Sequence, residues 1–149
     1  MSLRPKITLR GFKPGRRGAS HVLGALETAV MELLWRESPQ TVNEVEEKLR
    51  KRREIAHTTV LTTLDRLHRK GYLLREKQGK AFVYVPRYSR EEFERGMVEE
   101  VLGALIGQFH APAISAFVDL VSTDGDKLDQ LEEMIRAKRE TQRRRKQNK

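Results

Sequence analysis

One stretch of the chain combines hydroxyl and guanidinium side chains at helical spacing. Thr58, Thr62 and Arg66 lie four residues apart, which places them on one face of a helix. Threonine can exchange hydrogen bonds with base edges and phosphates and contact the thymine methyl, and arginine can bind guanine or phosphate through two parallel bonds. Because β-branched residues weaken helices, an outward face rich in threonine favours a role in contact. This spacing predicts a helix that reads duplex DNA.

The candidate DNA-binding set includes the neighbours of these residues and two lysines beside a later turn. Its members are His57, Thr58, Thr59, Thr62, Thr63, Arg66, Lys77 and Lys80. Two alternatives stay open. Thr58 could merely cap its helix while the other threonines form neutral surface. The two lysines could protect the edge of a hairpin instead of contacting phosphate or the minor groove.

No residue set indicates catalysis, a cofactor or a metal. The absence of cysteine excludes disulfides and thiolate ligands, and the 4 histidines show no paired spacing for zinc. Neither a glycine-rich nucleotide-binding motif nor a nucleophile–base pattern occurs. We therefore expect a protein that is not an enzyme and has no cofactor.

Charge is separated into blocks along the 149 residues, whose net charge is +9. Residues 48–90 carry +10 and residues 91–135 carry −9, while residues 1–20 and 136–149 carry +6 and +7. This predicts one part that meets a polyanion and another that does not. No apolar run approaches a membrane span and residues 1–20 lack the apolar stretch of a secretory signal, so we expect a cytoplasmic protein without membrane insertion.

The elements that position the threonines follow from periodicity and capping. A first helix ends at Ser38-Pro39, a second opens with a capping box at Thr41, and a third ends at Gly71. The expected apolar face of the third helix consists of Val60, Leu61, Leu64 and Leu67. Strands at 72–77 and 81–85 then flank a tight turn. The fold class is mainly α with a small β-hairpin (α+β), namely a winged helix-turn-helix.

A three-helix dimerisation domain is expected after the hairpin. Its segment of about fifty residues is below the size that easily stabilises itself alone, so dimerisation is the simplest way to bury its apolar positions. The candidate dimerisation residues are Phe93, Met97, Val101, Leu105, Phe109, Ile114, Phe117, Val118, Leu128, Leu131 and Ile135.

The expected organisation has four parts: a flexible basic arm (1–20), a winged-helix domain (21–88), a helical dimerisation domain (89–140) and a basic tail (141–149). The arm could enter the minor groove or be a solubilising tail. The basic tail could extend the last helix toward DNA or fray.

Several motifs resemble the penicillinase-repressor (BlaI/MecI/CopY) family of winged-helix regulators. The first helix, the third helix and the wing carry the likeness, in Leu26-Glu27, Val30-Met31, Leu34-Trp35, Thr59-Val60, Thr62, Leu64, Arg66-Leu67, Lys70-Gly71, Gly79-Lys80-Ala81-Phe82, Tyr84 and Pro86. Ser89-Arg90-Glu91-Glu92 continues it. The likeness covers roughly residues 23–140 and is specific in the first half.

The resemblance implies a homodimeric repressor whose winged-helix domains bind a palindromic operator and control resistance or stress genes. In the penicillinase branch, a membrane-bound sensor protease triggers cleavage of the repressor at an Asn–Phe bond. The corresponding bond here is Ala116–Phe117, with alanine in place of asparagine. The copper-responsive branch uses carboxy-terminal cysteines, which this chain lacks.

Two other functions stay open at the level of sequence. An architectural nucleic-acid-binding protein would act mainly through the two basic ends. A winged-helix adaptor would instead bind an acidic protein partner.

Overall fold

The structure is a computed structural model that describes residues 6–7 and 18–149. It contains a short 3₁₀ helix (Gly18–His21), helices α1 (Ala25–Arg36), α2 (Val42–Arg50), α3 (His57–Arg69), α4 (Arg90–Phe109), α5 (Ala111–Val121) and α6 (Gly125–Gln147), and strands β1 (Gln40–Thr41), β2 (Leu73–Gln78) and β3 (Ala81–Pro86). The chain divides into two compact units, unit 1 (Met1–Leu102) and unit 2 (Gly103–Lys149).

Local capping sets the ends of the helices that carry the site. The Thr41 hydroxyl accepts from the Glu44 amide at 3.3 Å, and the Glu44 carboxylate accepts from the Thr41 amide at 2.7 Å. This reciprocal pair starts α2 where the capping box predicts it. After α3, Gly71 has a φ of +82°, a conformation that glycine adopts without strain and that ends the helix.

A three-stranded antiparallel sheet in the order β1-β3-β2 forms the wing and its base. Leu73 pairs with Pro86 at one end of the hairpin and Gln78 with Ala81 at the other. The short strand β1, in which Gln40 pairs with Tyr84, is not predicted from the sequence because two residues carry no periodicity. The predicted fold class, a mainly helical winged helix with a small hairpin, is confirmed.

The core of unit 1 joins the winged helix to the first turns of α4. Phe93 of α4 is fully buried, and its ring centroid lies 5.5 Å from that of Trp35 and 5.0 Å from that of Tyr72. The Trp35 indole also donates to the Tyr88 carbonyl at 2.9 Å. These contacts attach the start of α4 to the winged helix.

This packing corrects two of the predicted dimerisation residues. Phe93 and Met97 are buried inside unit 1 and are not available to a second chain. Unit 1 accordingly extends into α4, whereas the sequence placed a domain boundary between residues 88 and 89. The other candidates are exposed or half-buried: Val101, Leu105, Phe109, Ile114, Phe117, Val118, Leu128, Leu131 and Ile135.

Part of the predicted arm also packs against unit 1. Ile7 and Ala19 are buried in the core, and the Tyr72 hydroxyl donates to the Lys6 carbonyl at 3.3 Å. These described positions therefore differ from a free arm, since their apolar side chains leave water on contact with the core. The rest of the predicted arm, residues 1–5 and 8–17, lies outside the described residues.

Unit 2 contains the end of α4 together with α5 and α6. Pro112 occupies the first turn of α5, and the Asp124 carboxylate accepts from the amides of Asp126 and Lys127 at the start of α6. No residue of α5 or α6 is buried. Among the described residues, no helix has both the length and the apolar character needed to cross a bilayer.

Candidate nucleic-acid interface

Helix α3 presents a polar face opposite its buried stripe. Val60, Leu64 and Leu67 are fully buried against the core, and Thr58, Thr59, Thr62, Arg66 and His57 are exposed. The structure therefore brings the predicted helix residues, apart from Thr63, onto the accessible side of α3.

Thr63 and Leu61 differ from the sequence-based expectation. Thr63 is only 5% exposed and its hydroxyl donates to the Thr59 carbonyl at 2.7 Å, whereas Leu61 is 43% exposed. Position 63 lies three residues from Val60 and four from Leu67, so it shares the buried stripe. Helical phase outweighs side-chain polarity here, and Leu61, not Thr63, belongs to the outer surface of α3.

The hydroxyl of Thr62 is already engaged as a donor. Its Oγ1 donates to the Thr58 carbonyl at 2.8 Å. A hydroxyl has one proton and two acceptor lone pairs. In this arrangement Thr62 offers an acceptor and a methyl group to a ligand.

A groove runs between the start of α1 and α3. Its lining includes Gly24, Glu27, Thr59, Thr62 and Arg66. Besides the Glu27 carboxylate, it combines a guanidinium, the hydroxyls of four threonines and the first turn of a helix. The guanidinium, the hydroxyls and the helix start suit DNA phosphates and base edges. The groove therefore lies between the exposed face of α3 and the start of α1.

Two buried carboxylates bind basic side chains of α3 and of the segments beside it. The Glu27 carboxylate accepts from Lys70 Nζ at 3.0 and 3.1 Å, and Arg66 Nη1 lies 3.8 Å from Glu27 Oε1. At the other end of α3, Glu46 binds His57 Nδ1 at 2.5 Å and Arg50 Nη2 at 2.6 Å. Both acids are less than a tenth exposed.

Sequence analysis missed these two acids, although a signal for Glu27 exists. Glu27 lies three residues before Val30 and seven before Leu34, on the apolar stripe of α1. A charged residue on such a stripe is buried against a partner of opposite charge. That partner is Lys70, which is distant in sequence and so not identifiable from periodicity.

The wing carries the two predicted lysines on its surface. Lys77 and Lys80 are exposed on either side of Gly79, whose φ is +64°. Neither lysine forms an ion pair within the described part of the chain. Beside them, Arg75 stacks its guanidinium 4.6 Å from the Phe82 ring centroid and binds Asp65 at 3.2 Å. The wing is thus a hairpin with two unneutralised cations near its tip.

The Glu37 carboxyl, at the end of α1, has a lowered pKa. The Lys48 ammonium bonds to Glu37 at 2.7 Å and lowers the pKa of that carboxyl through the hydrogen bond and its positive charge. The pair connects the C-cap of α1 with α2.

In residues 6–7 and 18–149, no cluster of three or more His, Asp or Glu side chains could hold a metal ion.

Comparison with known proteins identifies the family. The family model described as the penicillinase repressor matches residues 23–137. This chain belongs to the penicillinase repressor family. The predicted family is thereby confirmed, and the family consists of transcriptional repressors and not enzymes. The chain is accordingly a DNA-binding repressor of this family.

Individual proteins are also similar to this chain. The transcriptional regulator BlaI of Mycobacterium tuberculosis is 41% identical over 104 residues, which cover 68% of this chain and 75% of that protein. The penicillinase repressor of Bacillus licheniformis is 28% identical over 113 residues, covering 73% and 85%. The solution structure of the DNA-binding domain of the repressor BlaI is 34% identical, covers 47% of this chain and 85% of that one, and has a TM-score of 0.44.

Proposed function

We propose that this penicillinase repressor family member is a homodimer that recognises a palindromic operator through α3 and the wing. The observation that carries the proposal is the exposed face of α3, where Thr58, Thr59, Thr62 and Arg66 surround the groove beside α1. In protein–DNA complexes, contacts to base edges specify the sequence and contacts to phosphate position the protein. The polar side chains of α3 suit the first role and the wing lysines, which form no ion pair among the described residues, suit the second.

The apolar surface of the carboxy-terminal helices supports the homodimer. Leu105 and Ile106 of α4 and Phe117 of α5 are large apolar side chains exposed by more than a third. Monomeric soluble proteins rarely leave large contiguous apolar patches in water. A second copy would cover them, and a two-fold dimer would present two α3 helices to half-sites about one DNA turn apart.

Selection of duplexes from a random pool, followed by binding measurements, tests the DNA function. We expect the chain to enrich a palindrome, and Thr62→Ala and Arg66→Ala to lose about 5- to 150-fold in affinity for it, since one base contact discriminates by roughly 1–3 kcal/mol. A shuffled duplex should be affected far less. Arg95→Ala, which removes an exposed arginine of α4 paired with Glu99, is the matched control and should bind as wild type does. Equal losses on both duplexes would contradict base reading by α3.

Sedimentation velocity tests the dimer separately. The wild-type chain should sediment as a dimer at micromolar concentration, and Leu105→Asp should shift it to a monomer because a carboxylate then enters the apolar contact. The winged-helix fold should survive in the variant, since Leu105 lies in unit 2. A wild-type monomer would refute this part of the proposal.

Cleavage by a sensor protease remains a prediction. The Ala116–Phe117 bond lies in the middle of α5, with both residues exposed. Mass spectrometry of the chain from cells treated with a β-lactam would show a fragment ending at Ala116 if this route operates. An intact chain together with released operator would show that induction follows another route.

The alternative of DNA binding through a basic end is favoured by one observation on α6. This helix continues to Gln147, and among the described residues its cations Lys138, Arg139, Arg143, Arg145 and Lys146 form no ion pair. Removal of residues 141–149 separates the two functions. A repressor keeps its preference for the selected duplex with a lower salt dependence, whereas an architectural protein of this kind loses most of its affinity for both duplexes.

A further inference from the structure

Glu27 is a carboxylate buried beneath the exposed face of α3. It is 7% exposed and projects from α1, where its Oε2 also accepts a long hydrogen bond of 3.4 Å from the Gly24 amide. Its two cationic partners, Arg66 and Lys70, both come from the end of α3 and the residue after it. One buried acid thus connects α1 to two cations, of which Arg66 lines the groove.

The two cations are not held in the same way. Lys70 bonds to both oxygens of Glu27, at 3.0 and 3.1 Å, so its charge is matched by the carboxylate. Arg66 lies 3.8 Å from one oxygen, which is too long for a hydrogen bond. The guanidinium is therefore attracted to Glu27 while its five N–H donors remain available for another acceptor.

Stability alone does not account for this arrangement. The Glu27 side chain is 9% exposed, whereas those of Lys70 and Arg66 are 41% and 58% exposed. Desolvation of the carboxylate offsets part of the attraction, and ion pairs with exposed cations contribute little net stability. The better-attested use of such a pair is to fix one arrangement among several. In this chain, Glu27 would fix the positions of Lys70 and Arg66, which lie near the proposed DNA-reading face of α3.

We propose that Glu27 is a positioning residue for sequence discrimination. It neutralises Lys70, so that this lysine adds no phosphate contact, and it holds Arg66 at the mouth of the groove where the guanidinium meets a base edge. The inference rests on the proposed function, since it presumes that α3 reads DNA.

The test compares Glu27→Gln with wild type on the selected duplex and on a shuffled duplex of the same composition, at several salt concentrations. The amide can still accept from Gly24 but cannot neutralise Lys70. Binding to shuffled DNA should strengthen and its log–log salt slope should steepen by about 0.9, one additional phosphate contact. The ratio of the two affinities should fall about 5- to 30-fold as Arg66 loses its fixed position. A merely structural role would weaken binding to both duplexes.

Glu32→Gln is the matched control. It removes one carboxylate from the same helix, and its partner is Arg90 of α4 instead of a cation of α3. The control should leave the affinity ratio unchanged. A fall in the ratio equal to that of Glu27→Gln would reduce the effect to net charge and overturn the proposal.

A double-mutant cycle tests whether Glu27 acts through Arg66. In an Arg66→Ala background, Glu27→Gln should no longer change the affinity ratio. A full additional loss would overturn the positioning role. Lys70→Gln provides a second route if Glu27→Gln does not fold: it should leave the salt slope on shuffled DNA unchanged, and a slope reduced by about 0.9 would show that Lys70 binds phosphate after all.

The failures of the two proposals are distinguishable. If the wild-type chain enriches no sequence, the proposed function fails and the present inference fails with it. If it enriches a palindrome and Glu27→Gln retains the wild-type affinity ratio, only the role of Glu27 is refuted.

Discussion

Replacing Phe93 by alanine should destabilise the winged-helix unit strongly. The side chain is fully buried, and its ring lies within 5.5 Å of Trp35 and 5.0 Å of Tyr72 between centroids. Removing a buried phenylalanine typically costs about 3–5 kcal/mol of unfolding free energy, including the cavity left behind. Two aromatic contacts, each worth about 0.5–1.5 kcal/mol beyond burial, place Phe93 in the upper part of that range.

Urea unfolding followed by tryptophan fluorescence measures this loss. The chain has 1 tryptophan, Trp35, so the signal reports on the unit that contains Phe93. Phe109→Ala is the matched control, because Phe109 lies on the same helix but is 55% exposed in the chain. The control should unfold within about 1 kcal/mol of wild type and weaken self-association instead.

The opposite pattern would refute the reasoning. If Phe93→Ala unfolded within about 1 kcal/mol of wild type and dissociated the proposed dimer, Phe93 would be an interface residue as the periodicity first indicated. The contrast between the two variants thus shows which part of α4 stabilises the winged helix and which part is available for self-association.

Three further predictions each concern the replacement of one residue. Gly71→Ala should lower stability by about 1–2 kcal/mol in thermal unfolding, because a φ of +82° is strained for alanine while no atom lies within 4 Å of the added methyl. Lys48→Met should raise the pKa of Glu37 toward its ordinary value in a carbon-13 NMR titration; the contribution of the pair is present at neutral pH and lost as pH falls through the lowered pKa. Lys80→Ala should reduce the salt slope by about 0.9 on selected and shuffled duplexes alike.

Local signals in the sequence were enough to predict the fold class and the ends of two helices. The Thr41–Glu44 capping box and the glycine at position 71 placed helix ends correctly, because caps depend on residues close in the chain. The phase of α3 was harder. Leu61 is apolar yet exposed and Thr63 is polar yet buried, so hydrophobicity alone misassigned both.

The features that the sequence did not predict depend on contacts between residues far apart in the chain. Phe93 continues a four-residue apolar spacing through α4, and that spacing does not tell a core within one chain from an interface between chains. Only its contacts with Trp35 and Tyr72 do so. Glu27 is similar, since its role depends on Lys70, which lies 43 residues away in sequence.

If Thr62 contacts a base as proposed, its hydrogen bond to the Thr58 carbonyl would limit which bases it can recognise. A hydroxyl whose hydrogen bonds to its own helix can accept a hydrogen bond from the exocyclic amine of adenine or cytosine, but in that arrangement it does not donate one to the keto oxygen of guanine or thymine. The base opposite Thr62 should therefore be adenine or cytosine, or a thymine met through its methyl group. Guanine should be depleted at that one position of the enriched half-site.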